Sequence, residues 1–170
     1  MRVEASLFPI WPGFSVELSS ELVFEPGQAY HLSGPNGSGK SSFLSQVLLP
    51  RLIANPACYR LYFEQQMNLQ LYAVQAYAAL LEPRRLLAGE TGAVGYLLES
   101  LAASHAKNPR PAYILADESH ALKQISDFLK ERLPSACLIY CAHGDCLPDS
   151  RQIVFEPLSP QRSEVHASPA

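Results

Sequence analysis

The sequence predicts an α/β domain built on a mostly parallel sheet, and three observations carry that expectation. Short apolar, strand-like runs alternate with helix-like runs along the 170 residues. The run Ala112-Tyr113-Ile114-Leu115-Ala116 has no polar alternation, as a central strand covered on both faces requires. A glycine-rich turn at residues 34–39 separates a strand-like run from an amphipathic one, the order in which a parallel sheet delivers a strand to a helix.

Taken in order, Phe14–Leu18 and Gln28–Ser33 read as strands, with Glu25-Pro26-Gly27 turning the chain between them. Lys40–Ala54 reads as a helix closed by Asn55-Pro56, and Cys58–Phe63 as a third strand. Gln65–Ala106 is expected to be mostly helical, interrupted by Glu82-Pro83 and by Ala88-Gly89-Glu90-Thr91-Gly92. Pro111 leads into the apolar run at 112–116. Ser119–Leu133 reads as a helix, and Ala136–Cys141 and Gln152–Phe155 as the last strands. The expected domain is 1–156. Residues 157–170, with three prolines and few apolar side chains, are expected to form a flexible tail.

Apolar residues at 48% and charged residues at 17% allow one well-packed core. A net charge of −3 does not favour a nucleic acid or an anionic membrane as partner. The longest apolar stretches fall far short of the ~20 residues a spanning helix needs. The N-terminus carries Glu4 before any apolar block and is broken by Pro9 and Pro12, unlike a signal peptide. The expected location is the cytoplasm, with a peripheral place at the inner face of a membrane if the partner sits there. Cys137, Cys141, His143 and Cys146 raise the idea of zinc. Cys137 and Cys141, however, fall on one face of one strand about 13 Å apart, too far to share a metal. They are expected to be core thiols.

Gly34-Pro35-Asn36-Gly37-Ser38-Gly39-Lys40-Ser41 matches G-x-x-x-x-G-K-[ST] at every fixed position. Glycines let the backbone wrap closely around phosphate oxygens, and the helix that follows points its N-terminal dipole at the anion. The Lys40 ammonium suits the β- and γ-phosphates and the Ser41 hydroxyl suits Mg²⁺. Accident produces these four positions in about 1% of chains of this length. The implied ligand is a nucleoside triphosphate.

Asp117-Glu118 closes the buried run, and strand C-terminal ends line the ligand crevice of a doubly wound sheet. Neighbouring residues on a strand face opposite sides, so the pair divides two tasks. Asp117 would hold Mg²⁺ through water, and Glu118 would act as general base on the attacking water. The next strand ends in Ala142-His143-Gly144-Asp145, which makes His143 a third candidate, contacting the γ-phosphate and that water.

These motifs together resemble the ATP-binding cassette ATPases. Gly34–Ser42 is close to that family's phosphate loop, and Leu61-Tyr62-Phe63-Glu64-Gln65 is similar to its Q-loop. Asp117-Glu118-Ser119-His120-Ala121-Leu122 resembles its Walker B motif and D-loop, and His143 matches its switch histidine. The resemblance implies a P-loop NTPase fold with a mostly parallel sheet, flanking helices, antiparallel N-terminal strands and a short helical insert at about 67–106. It implies ATP and Mg²⁺ as cofactors, with the phosphates held by Gly34, Pro35, Asn36, Gly37, Ser38, Gly39, Lys40, Ser41 and Ser42. It makes Ser41, Asp117 and Gln65 the metal-facing residues, with Gln66 the alternative to Gln65, and Glu118, His143 and Gln65 the catalytic ones. Trp11 falls where the family stacks an aromatic on adenine; it reads equally as a core anchor, with Phe14 the alternate.

The sequence departs from the family in four ways. No Leu-Ser-Gly-Gly-Gln signature occurs; Glu90-Thr91-Gly92-Ala93-Val94-Gly95 stands nearest, with Thr91 and Gly92 able to offer a hydroxyl and an N–H at a helix start. Ser119 replaces the usual proline, and Lys123 the usual D-loop aspartate. The insert between Gln65 and Asp117 is short for a transporter subunit. The resemblance implies an ATPase, of weakened turnover if the signature fails, acting as an ATP-sandwich homodimer or heterodimer that powers a partner such as a membrane transporter. The alternatives are a mismatch-repair-like nucleic-acid-maintenance ATPase, a small-molecule kinase with Arg84-Arg85 as its lid cations, and a nucleotide-gated binding module without turnover.

Overall fold

The computed structural model describes residues 1–65, 67–83, 85–142 and 146–168. Its main sheet has eight strands in the order β2-β3-β10-β9-β5-β8-β7-β6. These are β2 (Ser6–Trp11), β3 (Phe14–Leu18), β5 (Ala29–Ser33), β6 (Tyr59–Phe63), β7 (Ala112–Asp117), β8 (Cys137–Cys141), β9 (Arg151–Ser159) and β10 (Arg162–Ala167). Strands β9, β5, β8, β7 and β6 run parallel, whereas β2–β3 and β9–β10 pair antiparallel. Strand β10 joins the two arms by pairing parallel to β3. The short strands β1 (Arg2–Val3) and β4 (Leu22–Val23) form a separate antiparallel pair. The expected α/β class, with its mostly parallel sheet and antiparallel N-terminal strands, is what the chain adopts.

Two apolar layers cover the parallel strands, and alternation along the strands sorts side chains between them. On one face, Tyr113 and Leu115 of β7 and Cys137, Ile139 and Cys141 of β8 join Phe43, Leu44, Val47, Leu48 and Leu52. Strands β2, β3 and β10 close over the same helical segment with Ile10, Phe14, Val16 and Val165, so the curled sheet wraps it. On the other face, Ile114, Ala116, Leu138 and Tyr140 meet helices α4 (Gly89–Lys107) and α5 (Leu122–Arg132) through Val94, Leu98, Ile125 and Leu129. Strands β7 and β8 are buried along their whole length, which is why neither shows polar alternation. Cys137 and Cys141 lie in the core, as expected.

The helix expected over Lys40–Ala54 forms in three parts: α1 (Lys40–Ser42), a wide-turned segment Phe43–Leu48, and α2 (Leu49–Ala54). The Leu49 N–H bonds the Leu44 carbonyl five residues back. Pro50 supplies the reason, since it has no N–H to donate and its ring would strike the carbonyl four residues earlier in a regular helix. Beyond β6, α3 (Met67–Leu81) and α4 form the insert.

Two boundaries differ from expectation. Residues 157–167 are not a loose tail, because β9 continues to Ser159 and β10 occupies an interior place between β9 and β3. Ser163 and Val165 are buried while their neighbours face outward, a period of two that the prolines and charges obscure. The domain therefore extends past residue 156. Helix α5 starts at Leu122 rather than Ser119, because Ser119 forms a turn in which its Oγ accepts the Ala121 N–H at 3.2 Å.

Candidate functional site

Parallel strands carry all their C-terminal ends to one edge, and there the chain collects its candidate chemistry. The glycine-rich loop 34–41 follows β5, Gln65 follows β6, and Asp117-Glu118 closes β7. His143 follows β8 in sequence; together with Gln66 and Arg84 it lies outside the described residues.

The loop is held in shape by steric fit as well as by hydrogen bonds. Gly39 adopts φ +94°, and a Cβ there would stand 2.9 Å from Phe14 Cε1 and 3.0 Å from Val16 Cγ2. Gly34 adopts φ +140° against the Phe155 carbonyl, where a Cβ would stand at 2.5 Å. Only glycine suits either place. The Lys40 side chain is buried, and its Nζ donates to the Gly34 and Pro35 carbonyls at 2.8 and 2.9 Å, which draws the loop around the ammonium. The buried Ser38 hydroxyl has no hydrogen-bond partner among the described residues. A buried orphan polar atom carries a cost that a ligand oxygen would relieve.

Ser41 and Asp117, 76 residues apart, meet directly: Ser41 Oγ donates to Asp117 Oδ1 at 2.8 Å. The β7 alternation that sends Tyr113 and Leu115 to the layer containing α1 sends Asp117 there as well. Burial pushes the Asp117 carboxyl above its ordinary pKa; the Ser41 hydrogen bond opposes this, and the neighbouring Glu118 charge adds to it. A hydroxyl and a buried, under-compensated carboxylate are a donor set that suits Mg²⁺, whose charge would reverse the burial cost.

Glu118 leaves the strand with φ +49°, a left-handed conformation that strains a non-glycine residue. Its N–H bonds the Cys141 carbonyl at 3.0 Å, and its Oε2 accepts from Gln65 Nε2 at 2.5 Å. The Q-loop candidate and the base candidate thus touch. A cleft of about 290 Å³ is lined by Trp11, Asn36, Gly37, Gly39, Lys40, Ser41, Ser42, Gln65 and Glu118. Trp11 is 45% exposed at its mouth, which excludes the core-anchor alternative. Its indole stacks on Phe14 at 4.5 Å and 14°, and Phe14 in turn packs on Gly39.

Thr91 and Gly92 lie in the first turn of α4 and do not line this cleft. The Gly92 N–H is already bonded to the Ala88 carbonyl at 3.1 Å, so the expected free donor there is corrected. The bend that opens α4 is at Gly89, with φ +61°. Sequence reasoning also missed Tyr62. It stands on the Asp117 side of the sheet, with its phenol pushed up to about 12 by burial and by the Asp117 charge. Its place three residues before Gln65 in β6 was the available signal. Comparisons with protein-family models and with curated proteins find no match to this chain.

Proposed function

We propose that this chain is an Mg²⁺-dependent nucleoside triphosphatase of the ATP-binding cassette type, with a P-loop NTPase fold. The observation that carries the reading is the pairing of contacts at one sheet edge: Ser41 with Asp117, and Gln65 with Glu118. An isolated glycine-rich turn would have no reason to meet the acids of a strand so distant in sequence.

In this reading the loop N–H groups, Lys40 and the Ser38 hydroxyl bind the phosphates, and Trp11 stacks on the base. Ser41 and Asp117 would hold the metal, which would supply positive charge to offset the charge developing on the phosphate oxygens. Glu118 takes the proton of the attacking water, and Gln65 holds that carboxylate toward the γ-phosphate. The strained Glu118 backbone supports a positioned base, since strain survives where surrounding structure enforces it. Two copies closing over ATP, with a membrane protein or other machine as partner, are the assembly the reading implies.

The test is phosphate release with Mg·ATP, run beside size-exclusion chromatography of Glu118→Gln with and without ATP. The expected result is turnover lost by on the order of 10²-fold or more in the variant, with ATP binding kept and ATP-dependent dimers trapped. Unchanged turnover in the variant would exclude Glu118 as the base. A second reading, a nucleotide-gated binding module with little turnover, is favoured by one observation: the Gly92 N–H is spent inside α4. Tight ATP binding with no phosphate release and no dimer would select it.

A further inference from the structure

Of the four thiols, Cys58, Cys137 and Cys141 are buried, and Cys146 is exposed. Cys146 follows β8 in the connection to β9, and its Sγ lies 3.1 Å from Nδ1 of His31. His31 is in the middle of β5 and only 6% exposed, a place where an imidazole is uncommon. The same tyrosine orders both partners. The Tyr140 ring stacks on the His31 ring at 5.0 Å and 20°. Its hydroxyl accepts the Leu147 N–H at 2.9 Å and contacts Ser150 Oγ at 2.9 Å, and Ser150 Oγ donates to the Leu147 carbonyl at 2.7 Å. The backbone next to Cys146 is therefore anchored to the residue that also fixes the imidazole plane. A solvent-facing nucleophile, a buried base within hydrogen-bond reach and a shared positioning residue make a built arrangement.

We propose that Cys146 and His31 form a thiol modification site that reacts with small hydroperoxides. Sγ attacks the distal peroxide oxygen, forming the S–O bond as the O–O bond breaks. His31 Nδ1 takes the thiol proton and passes it to the leaving oxygen, which departs as water or an alcohol. Sulfur is oxidised by two electrons to the sulfenic acid and the peroxide is reduced by two. Around the imidazole stand the Ala142 carbonyl, the Gln152 side chain of β9, the Tyr140 phenol and, at longer range, the Lys40 ammonium. Burial and Lys40 disfavour the imidazolium, so His31 serves as a neutral proton acceptor at physiological pH rather than as a standing positive charge.

The experiment treats the 170-residue chain with hydrogen peroxide plus a sulfenate trap, and separately with iodoacetamide, and follows each cysteine by mass spectrometry between pH 6 and 9. Native Cys146 is expected to react at least about tenfold faster near pH 6.5 than Cys146 of the urea-unfolded chain, with the advantage vanishing by pH 9. His31→Gln removes that advantage, and Tyr140→Phe, which keeps the ring stack and loses the hydroxyl anchor, reduces it. A native rate equal to the unfolded rate at pH 6.5 overturns the proposal without any variant. So does a His31→Gln chain that folds and reacts as fast as the wild type.

Discussion

At Asp117 the proposed metal role can be weighed against folding stability, and replacing the residue separates the two. The carboxylate is buried, and its folded-state pKa is raised by that burial. A raised carboxylate pKa means that ionisation costs the folded state more than the unfolded one. The penalty is absent below the unfolded pKa, grows as pH rises between the unfolded and folded values, and is fully present only above the folded value. Asp117→Asn removes the charge and keeps an oxygen that can accept the Ser41 hydroxyl at the same place. Because that hydrogen bond persists, the gain falls at the low end of the cost of burying a polar group, about 1 kcal/mol. For a chain of this size that is a rise of roughly 2–4 °C in Tm. Binding reverses the order. On the proposed reading, Mg·ATP at a hundred times its Kd should stabilise the wild type by about 2.7 kcal/mol, and the variant should lose most of this because it would lack the anionic ligand proposed for the metal. Thermal unfolding at pH 7, with and without Mg·ATP, measures both halves; the ligand-free advantage should shrink toward pH 4. A variant less stable than the wild type without ligand would refute the burial argument. An unchanged Mg·ATP shift would refute the metal role.

Three further outcomes follow from the same geometry. Gly39→Ala meets Phe14 and Val16 at about 3 Å while Gly37→Ala meets nothing, although both carry positive φ; urea unfolding should show Gly39→Ala costlier by about 1–3 kcal/mol. Trp11→Ala should weaken ATP binding by about 1–3 kcal/mol in a calorimetric titration, with Trp11→Phe retaining most of it and the triphosphate-only ligand insensitive to either. Val165→Asp, which puts a charge at a fully buried position of β10, should abolish cooperative unfolding; survival of a normal transition would mean that β10 is dispensable.

Legibility in the sequence tracked locality. The phosphate loop, the buried strand and its acidic end are short-range patterns, and each chemical residue among them lies where strand order carries it. Alternation along β7 was enough to put Asp117 on the layer of Tyr113 and Leu115; it did not place Glu118, which leaves the strand at φ +49° and lines the same cleft as Ser41 instead of facing the other side. What the sequence hid depends on partners far along the chain. Strand β10 pairs with β3, and neither composition nor periodicity over six residues announces that contact. The widening at Phe43–Leu48 turns on Pro50, and the competence of Gly92 turns on which residue makes the first bend of α4. His31 reads as an ordinary strand residue until Cys146 arrives beside it.

Several unfavourable features of this fold lie at one edge, while the left-handed Asp149 and the orphan polar atoms of His31, Glu90 and His105 lie elsewhere. Asp117 is ionisable and buried, Glu118 is backbone-strained, Ser38 carries an orphan hydroxyl, and Lys40 is buried against two carbonyls. Each costs stability, and each could be relieved by a commoner residue. A sequence under selection for folding alone would scatter such costs or lose them, because every local choice would then agree with the global fold. The group of them at the C-terminal ends of β5 and β7, around one cleft, is consistent with the proposed site for a polyanion and a divalent cation. Such a site also predicts where relief comes from: ligand binding should raise the stability of this edge first, by protecting the amides of residues 34–42 and 117–118 from hydrogen exchange before those of α3. Protection beginning in α3 instead would mean that the ligand enters elsewhere.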